Sequence, residues 1–270
     1  LGGVSEQEAV SRADRPATVA SLTADLSALG DLSGSVVLVH SSVSALGWVV
    51  GGAEAVVEAL LATVGTLVVP SFSTHRTDPG RWQHPPVPPE WWPVIRAEMP
   101  PFDPRTAGTR NMGAVVDCVL RQPGTVRSAH PHLSFAAHGP RALDVVGSHP
   151  LPYGVGDTSP LARVYDLDGY VLLLGVGHGN NTSLHLAEHR AAWPAKRDYE
   201  EGASLLVDGK REWVTFPDLL TSDEDFPAIG AAFEETGAVT VTKVGAGEAR
   251  LMRQRALVDF GVREIERIRG

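Results

Sequence analysis

Histidine and glutamate crowd one short stretch of this chain. His178, His185, Glu188 and His189 follow an apolar run, Tyr170 to Leu174, and a glycine-rich turn, Gly175-Val-Gly-His-Gly-Asn-Asn-Thr-Ser183. On a helix, residues three and four apart share a face, so His185 stands beside both Glu188 and His189. Three chemistries are open. Gly175-x-Gly177 begins like a dinucleotide-binding turn, but Asn180 occupies the place of the third glycine and no acidic residue closes a strand about 20 residues on. His185-Leu-Ala-Glu188-His189 matches the H-x-x-E-H pattern of a zinc hydrolase, with Glu234, Glu235 or Glu248 on hand as a further ligand. The third chemistry is general base catalysis. Asn181, Thr182 and Ser183 are good helix N-caps, which puts His185 near a helix start, where an imidazolium is disfavoured. A neutral imidazole can take a proton from an amine or hydroxyl, with Glu188 to orient the ring or hold a cation.

A second candidate is His40-Ser-Ser-Val-Ser-Ala-Leu-Gly47, where an apolar run ends in small hydroxyl residues. Exposed backbone N–H groups in such a turn could cradle a phosphate or an amide of pantetheine. There is no G-x-S-x-G turn and no Walker A loop. Cys118, the only cysteine, sits among Val115, Val116, Val119 and Leu120 on an expected buried helix. It forms no intrachain disulfide and does not have the setting of a reactive thiol.

These residues need a scaffold. Apolar spacing at Val19, Leu22, Leu26 and Leu29 predicts a helix within 16–29, ended by Gly30. Val36–Val39, Thr66–Val69 and Tyr170–Leu174 read as buried strands. Helices are expected over Ala53–Val64, Met112–Leu120, Leu184–Ala192 and Gly247–Ile268. Val207-Asp-Gly-Lys210 reads as a hairpin turn inside 203–215. Strand, loop, helix and strand in that order argue for an α/β protein. Nine prolines between Pro79 and Pro104, with Trp82, Trp91 and Trp92, set off residues 75–110 as a long excursion, a lid, a substrate wall or a surface loop. One domain over 16–270 is expected, with 1–15 a poorly structured N-terminal segment.

The 270 residues carry 23 Lys and Arg against 32 Asp and Glu, a formal charge of −9. That balance repels phosphate and disfavours nucleic acid, while it suits a cationic partner. No apolar run approaches the ~20 residues of a membrane span, and no apolar segment marks a signal peptide near residue 1, so the expected compartment is the cytoplasm. The abundance of Arg, Ala, Val and Gly over Lys fits a GC-rich bacterial genome.

Four separated segments then converge: His40-Ser-Ser-Val-Ser-Ala-Leu-Gly-Trp-Val-Val-Gly-Gly52, Met99-Pro-Pro-Phe-Asp-Pro104, Arg127-Ser-Ala-His-Pro-His-Leu-Ser134 and Asn181-Thr-Ser-Leu-His-Leu-Ala-Glu188. In this order, across Asp31 to Ile268, the chain resembles the aminoglycoside 3-N-acetyltransferases, not the general GNAT superfamily. The resemblance implies an α/β fold with a mixed β-sheet flanked by helices and the Pro-rich excursion near the active-site cleft. It implies transfer of acetyl from acetyl-CoA to the 3-amino group of a deoxystreptamine ring, hence antibiotic resistance, without a metal. His185 would be the base, Glu188 its partner and His40 a further catalytic residue. The coenzyme side would take Ser41, Ser42, Val43, Leu46, Gly47, Met112, Gly113, Arg127 and Ser134. Gly179 and His189 depart from residues common in the family, which bears on drug preference.

The expected mechanism is direct transfer, with backbone N–H groups near Ser41 to Ser44 holding the thioester oxygen. A polycationic drug calls for carboxylates. Asp78, Glu90 and Asp103 are candidates from the excursion, and Asp223 and Asp225 are favoured because their acidic run precedes the apolar Phe226-Pro227 step. Expected partners are small molecules alone, with no nucleic acid or membrane, for a monomer or homodimer. Acetyl transfer to another small amine, and the zinc hydrolase, stay as alternatives.

Overall fold

The computed structural model describes residues 6–270. Helix α1 (Glu6–Ser11) and α2 (Val19–Ser27) lead into strand β1 (Leu32–Ser41). Helix α3 (Gly52–Thr63) and strand β2 (Val64–Pro70) complete a β–α–β unit. The excursion holds α4 (Trp92–Glu98), then come α5 (Ala114–Arg121) and the strands β3 (Val126–Arg127) and β4 (Phe135–His138). Helices α6 (Ala142–Val146) and α7 (Pro160–Asp166) precede β5 (Tyr170–Leu174) and α8 (Ser183–Arg190). The hairpin β6 (Asp198–Val207) and β7 (Lys210–Leu219), α9 (Phe226–Glu235), β8 (Val239–Val244), β9 (Gly247–Arg253) and α10 (Gln254–Arg269) follow.

Among the described residues, seven strands form one mixed sheet in the order β3-β4-β2-β1-β5-β9-β8, and β6–β7 stands apart as a two-stranded ribbon. β2, β1 and β5 are parallel, and the outer pairings are antiparallel. The central strands are buried on both faces, which is why each is a continuous apolar run. Val37, Val39, Leu67, Val69, Leu172 and Leu174 pack under α2, α3 and α5. Their alternates Val36, Leu38, Val68, Val171 and Leu173 pack against α6 to α10.

Two expectations change here. The chain over 247–253 is not helical: β9 pairs with β5 and β8, burying Ala249, Leu251 and Met252, and the helix starts only at Gln254. Residues 6–11 of the N-terminal segment are helical, with Ala9 buried, while 1–5 lie outside the described residues. That helix docks because Gly47 has no side chain; a Cβ there would stand 3.0 Å from those of Ala13 and Ala246. Among the described residues, no helix is long and apolar enough to cross a membrane.

Candidate active site

β1 and β5 are parallel neighbours, so Ser41 and Leu174 end together and their following loops meet at one edge of the sheet. Ser42 N–H donates to the Leu174 carbonyl at 2.9 Å. Gly175 has φ +70°, and a Cβ on it would meet Ala45 at 2.7 Å, so only glycine lets the two loops nest. Behind them α10 crosses α8 at Gly261, where a Cβ would reach Leu184 and Ala187 within 3.0 Å.

This edge carries a cleft of ≈ 310 Å³ lined by His40, Ser41, Phe72, Asn111, Met112, Gly113, Val176, Asn180, Thr182, His185, Asp223 and Phe226, among others. His185 is the third residue of α8, and its Nδ1 donates to Glu188 Oε2 at 2.5 Å. Its Nε2 has no hydrogen-bond partner among the described residues. The imidazole packs on the Phe226 ring, centroids 4.8 Å apart. Glu188 is wholly buried, and its Oε1 accepts from Arg269 Nη1 at 2.6 Å and Ser222 N–H at 2.9 Å. It therefore faces His185 and not the open cleft. His40 is buried against Thr182 Oγ1, 3.2 Å from its Nε2; burial, and then the nearby His185, push its pKa down to about 3. A group held neutral in this way takes no proton at ordinary pH.

The expected N-caps have other engagements. Thr182 turns to His40, Ser183 Oγ accepts from Gln254 Nε2 at 3.0 Å, and Asn181 points to His178. No side chain caps α8.

Of the nine coenzyme candidates, Ser41, Met112 and Gly113 line the cleft. Leu46 is in the core, Val43 packs against it, and Gly47 seats the α1 segment. Ser42, its N–H on Leu174, sets its hydroxyl 3.2 Å from that of Ser44. Arg127 is turned inward: its guanidinium donates to Ser134 Oγ, Ser73 Oγ and the Ser71 and Ala107 carbonyls, and burial draws its pKa down to about 10. Ser134 is fully buried in the same joint. His130, also buried, accepts from the N–H groups of His132 and Leu133. The Arg127–Ser134 motif thus braces the β3–β4 junction against the excursion.

Of the carboxylates, Asp223 alone lines the cleft. Asp225 is held by Arg269 through two bonds of 2.7 Å. Asp78 pairs with Arg96, Asp103 with Arg105, and Glu90 is exposed at the start of α4. The excursion lies on the hairpin, Phe102 N–H donating to the Ser204 carbonyl and Ser204 Oγ to that of Met99. Its flanks, Phe72 and Asn111, reach the cleft.

Two residues were missed. Asp218, buried on β7, has its carboxyl pushed up to about 6 by burial above all, against a small opposing pull from His185. Its signal was an acid in the inward phase of a strand, like Glu201 opposite Phe216. Arg269 left no local signal.

His189 turns away from His185, its ring edge-on to Tyr153 at 5.8 Å. Among the described residues, no group of three or more His, Cys, Asp or Glu is arranged to hold a metal ion. Beside the cleft, sharing Val176, lies a hollow of ≈ 560 Å³ walled by His178, Glu234, Glu248 and Arg250.

The sequence profile of the family described as aminoglycoside 3-N-acetyltransferase matches residues 38–266. The chain is 43% identical over 249 residues to the SPbeta prophage-derived aminoglycoside N(3')-acetyltransferase-like protein YokD of Bacillus subtilis (strain 168), covering 91% of each. The crystal structure of YokD superposes with a TM-score of 0.93, covering 96% of this chain and 97% of that one. Aminoglycoside N(3)-acetyltransferase VII of Streptomyces paromomycinus is 37% identical, covering 94% of this chain and 93% of its own. AAC-IIIb, solved as a binary complex with CoASH, is 32% identical with a TM-score of 0.85, covering 95% and 98%. Sisomicin-bound AAC-VIa is 29% identical with a TM-score of 0.85, covering 95% and 100%. The chain belongs to the aminoglycoside 3-N-acetyltransferase family.

Proposed function

We propose that this protein transfers acetyl from acetyl-CoA to the 3-amino group of a deoxystreptamine aminoglycoside, with resistance as the consequence. The observation that carries the reading is one imidazole whose Nδ1 is fixed on a buried carboxylate and whose Nε2 is open to a cleft that also holds Asp223. Relatives solved with CoASH and with sisomicin support the two substrates.

His185 Nε2 takes a proton from the substrate ammonium. The freed amine attacks the thioester carbonyl to form the C–N bond, the C–S bond breaks, and the second proton, shed by the nitrogen as the amide forms, ends on the departing CoA thiolate. No acyl-enzyme is needed, because the thioester arrives activated and the site has only to align and deprotonate the amine. Glu188 holds His185 in the tautomer with Nε2 bare. His40, neutral, and Ser41 flank the reacting centre as polar, uncharged groups. The Asn111 and Asn180 amides, the Ser41 hydroxyl and the start of α5 at Gly113 suit the amide-rich pantetheine arm. Asp223 meets an ammonium group.

The test is thiol release from acetyl-CoA against a panel of 2-deoxystreptamine drugs. His185→Ala should lower turnover by roughly 10²–10⁴, the usual weight of a general base. Near-native turnover in that variant would remove His185 from the reaction. A second reading, acetyl transfer to a smaller amine, is favoured by the single candidate carboxylate on the cleft. Thiol release with simple diamines and none with the drugs would establish it instead.

A further inference from the structure

Arg269, in the last turn of α10, lies beyond the 38–266 matched by the family profile. Its guanidinium makes four hydrogen bonds behind the cleft. Nη1 donates to Glu188 Oε1 at 2.6 Å. Nε and Nη2 form a two-bond fork on Asp225, both at 2.7 Å, and Nη2 also reaches the Ser222 carbonyl at 2.8 Å. The group lies against the Trp193 ring, 5.1 Å from its centroid, with a side-chain exposure of 16%.

Each contact bears on the site. Glu188 has no exposure to water, and a carboxylate so buried is costly without a charged partner and satisfied oxygens. Arg269 supplies the charge, and Ser222 N–H fills the remaining place on Oε1. Oε2 is then left to His185 Nδ1. Asp225 and Ser222 belong to the turn that carries Asp223 and Phe226, which line the cleft, and Phe226 packs on the same imidazole. Only a planar fork of N–H donors reaches all three partners at once; an ammonium cannot.

We propose that Arg269 is the positioning residue of this site: it clamps Glu188 behind His185 and the 222–226 turn in front of it, so that base and substrate wall are set by one guanidinium. The kinetic consequences rest on the acetyl-transfer reading; the clamp itself does not.

Arg269→Gln, Arg269→Lys, Glu188→Gln and the double variant E188Q/R269Q form the test. R269Q should lower kcat by about ten- to a hundredfold, as for groups that orient a functional imidazole from behind, and R269K should recover part of the loss. In the Glu188→Gln background, R269Q should lower kcat by less than it does in the native chain, because the ion pair with Glu188 is already gone and only a neutral hydrogen bond and the hold on the 222–226 turn are left to lose. Equal loss in both backgrounds would overturn the proposal, as would native kcat in R269Q. If R269Q alone does not fold, R269K, which keeps a cation beside Glu188 and Asp225, decides: a kcat below native with the fold retained upholds the clamp, and native kcat refutes it. If no amine is acetylated, proton NMR of the free protein gives an independent reading. The far-downfield Nδ1 proton of His185, expected in the native chain and R269K, should move upfield or exchange away in R269Q. Its persistence there overturns the clamp whatever the reaction proves to be.

Discussion

Glu188→Gln changes one atom in a side chain whose surroundings decide the result. Oε1 receives two donors, Arg269 Nη1 and Ser222 N–H, while Oε2 receives one, His185 Nδ1–H. A glutamine has one acceptor oxygen and one donor nitrogen. Turning its nitrogen toward Arg269 and Ser222 would set donor against donor twice around a fully buried side chain, each such loss amounting to about 1–3 kcal/mol. The oxygen therefore stays with Arg269 and Ser222, and the amide N–H₂ faces His185. Nδ1 must then accept, and the ring proton moves to Nε2, the atom proposed as the base. A triad histidine forced into the wrong tautomer by the same acid-to-amide change loses about 10⁴ in kcat, so a loss of 10³–10⁴, roughly 4–5 kcal/mol of barrier, is expected. The assay is initial-rate thiol release at saturating acetyl-CoA, with ¹⁵N NMR of the imidazole to assign the tautomer. A variant within tenfold of native kcat, or one that keeps its proton on Nδ1, would refute the reasoning.

The other predictions concern the substrate wall, acid stability and packing. Asp223→Asn should raise the KM of a polycationic amine about two- to fivefold, the weight of a solvent-screened pair, and an unchanged KM at low salt would take Asp223 out of binding. Burial draws His40 down to about 3, His132, His149 and His189 down to about 4, and His130 well below its ordinary value, so as pH falls below 6.5 the unfolded chain takes up protons at these histidines that the folded chain does not. Asp218, raised to about 6, works the other way and favours the fold at low pH. The histidines outnumber it, so stability is held above pH 6.5 and lost toward pH 4. A melting temperature that stays flat from pH 7 to 5 would contradict this. Gly230→Ala puts a Cβ 1.9 Å from the His178 ring, which must leave its bond to Glu234; a loss of about 1–3 kcal/mol by denaturant titration is expected.

The parts of the fold that depend on neighbours in sequence were readable. Tyr170–Leu174 has the bounds expected because a strand covered on both faces is apolar throughout. His185 and Glu188 share a face by helical geometry alone, and the 207–210 turn marked its hairpin. What was lost depends on distant partners. Gly247–Arg253 looked continuous with the helix after it, since no Gly or Pro separates them, and only its pairing with β5 makes it a strand. Asp225 and Asp223 are alike in sequence, yet Arg269, 44 residues away, takes one and leaves the other at the cleft. Arg127 and Ser134 looked like ligand contacts because their motif is polar, but the excursion folds over them and all three guanidinium nitrogens are engaged internally.

The bond between Glu188 and Arg269 joins residues 81 apart, across the hairpin, α9, β8, β9 and the whole of α10. Contacts that close long loops form late, after local helices and turns. During refolding, secondary structure should therefore return well before a competent base, and any assay of recovered turnover should trail the circular dichroism signal. Trp193, lying under the guanidinium, gives that event an optical marker: its emission should change in step with activity, as α10 seats its arginine.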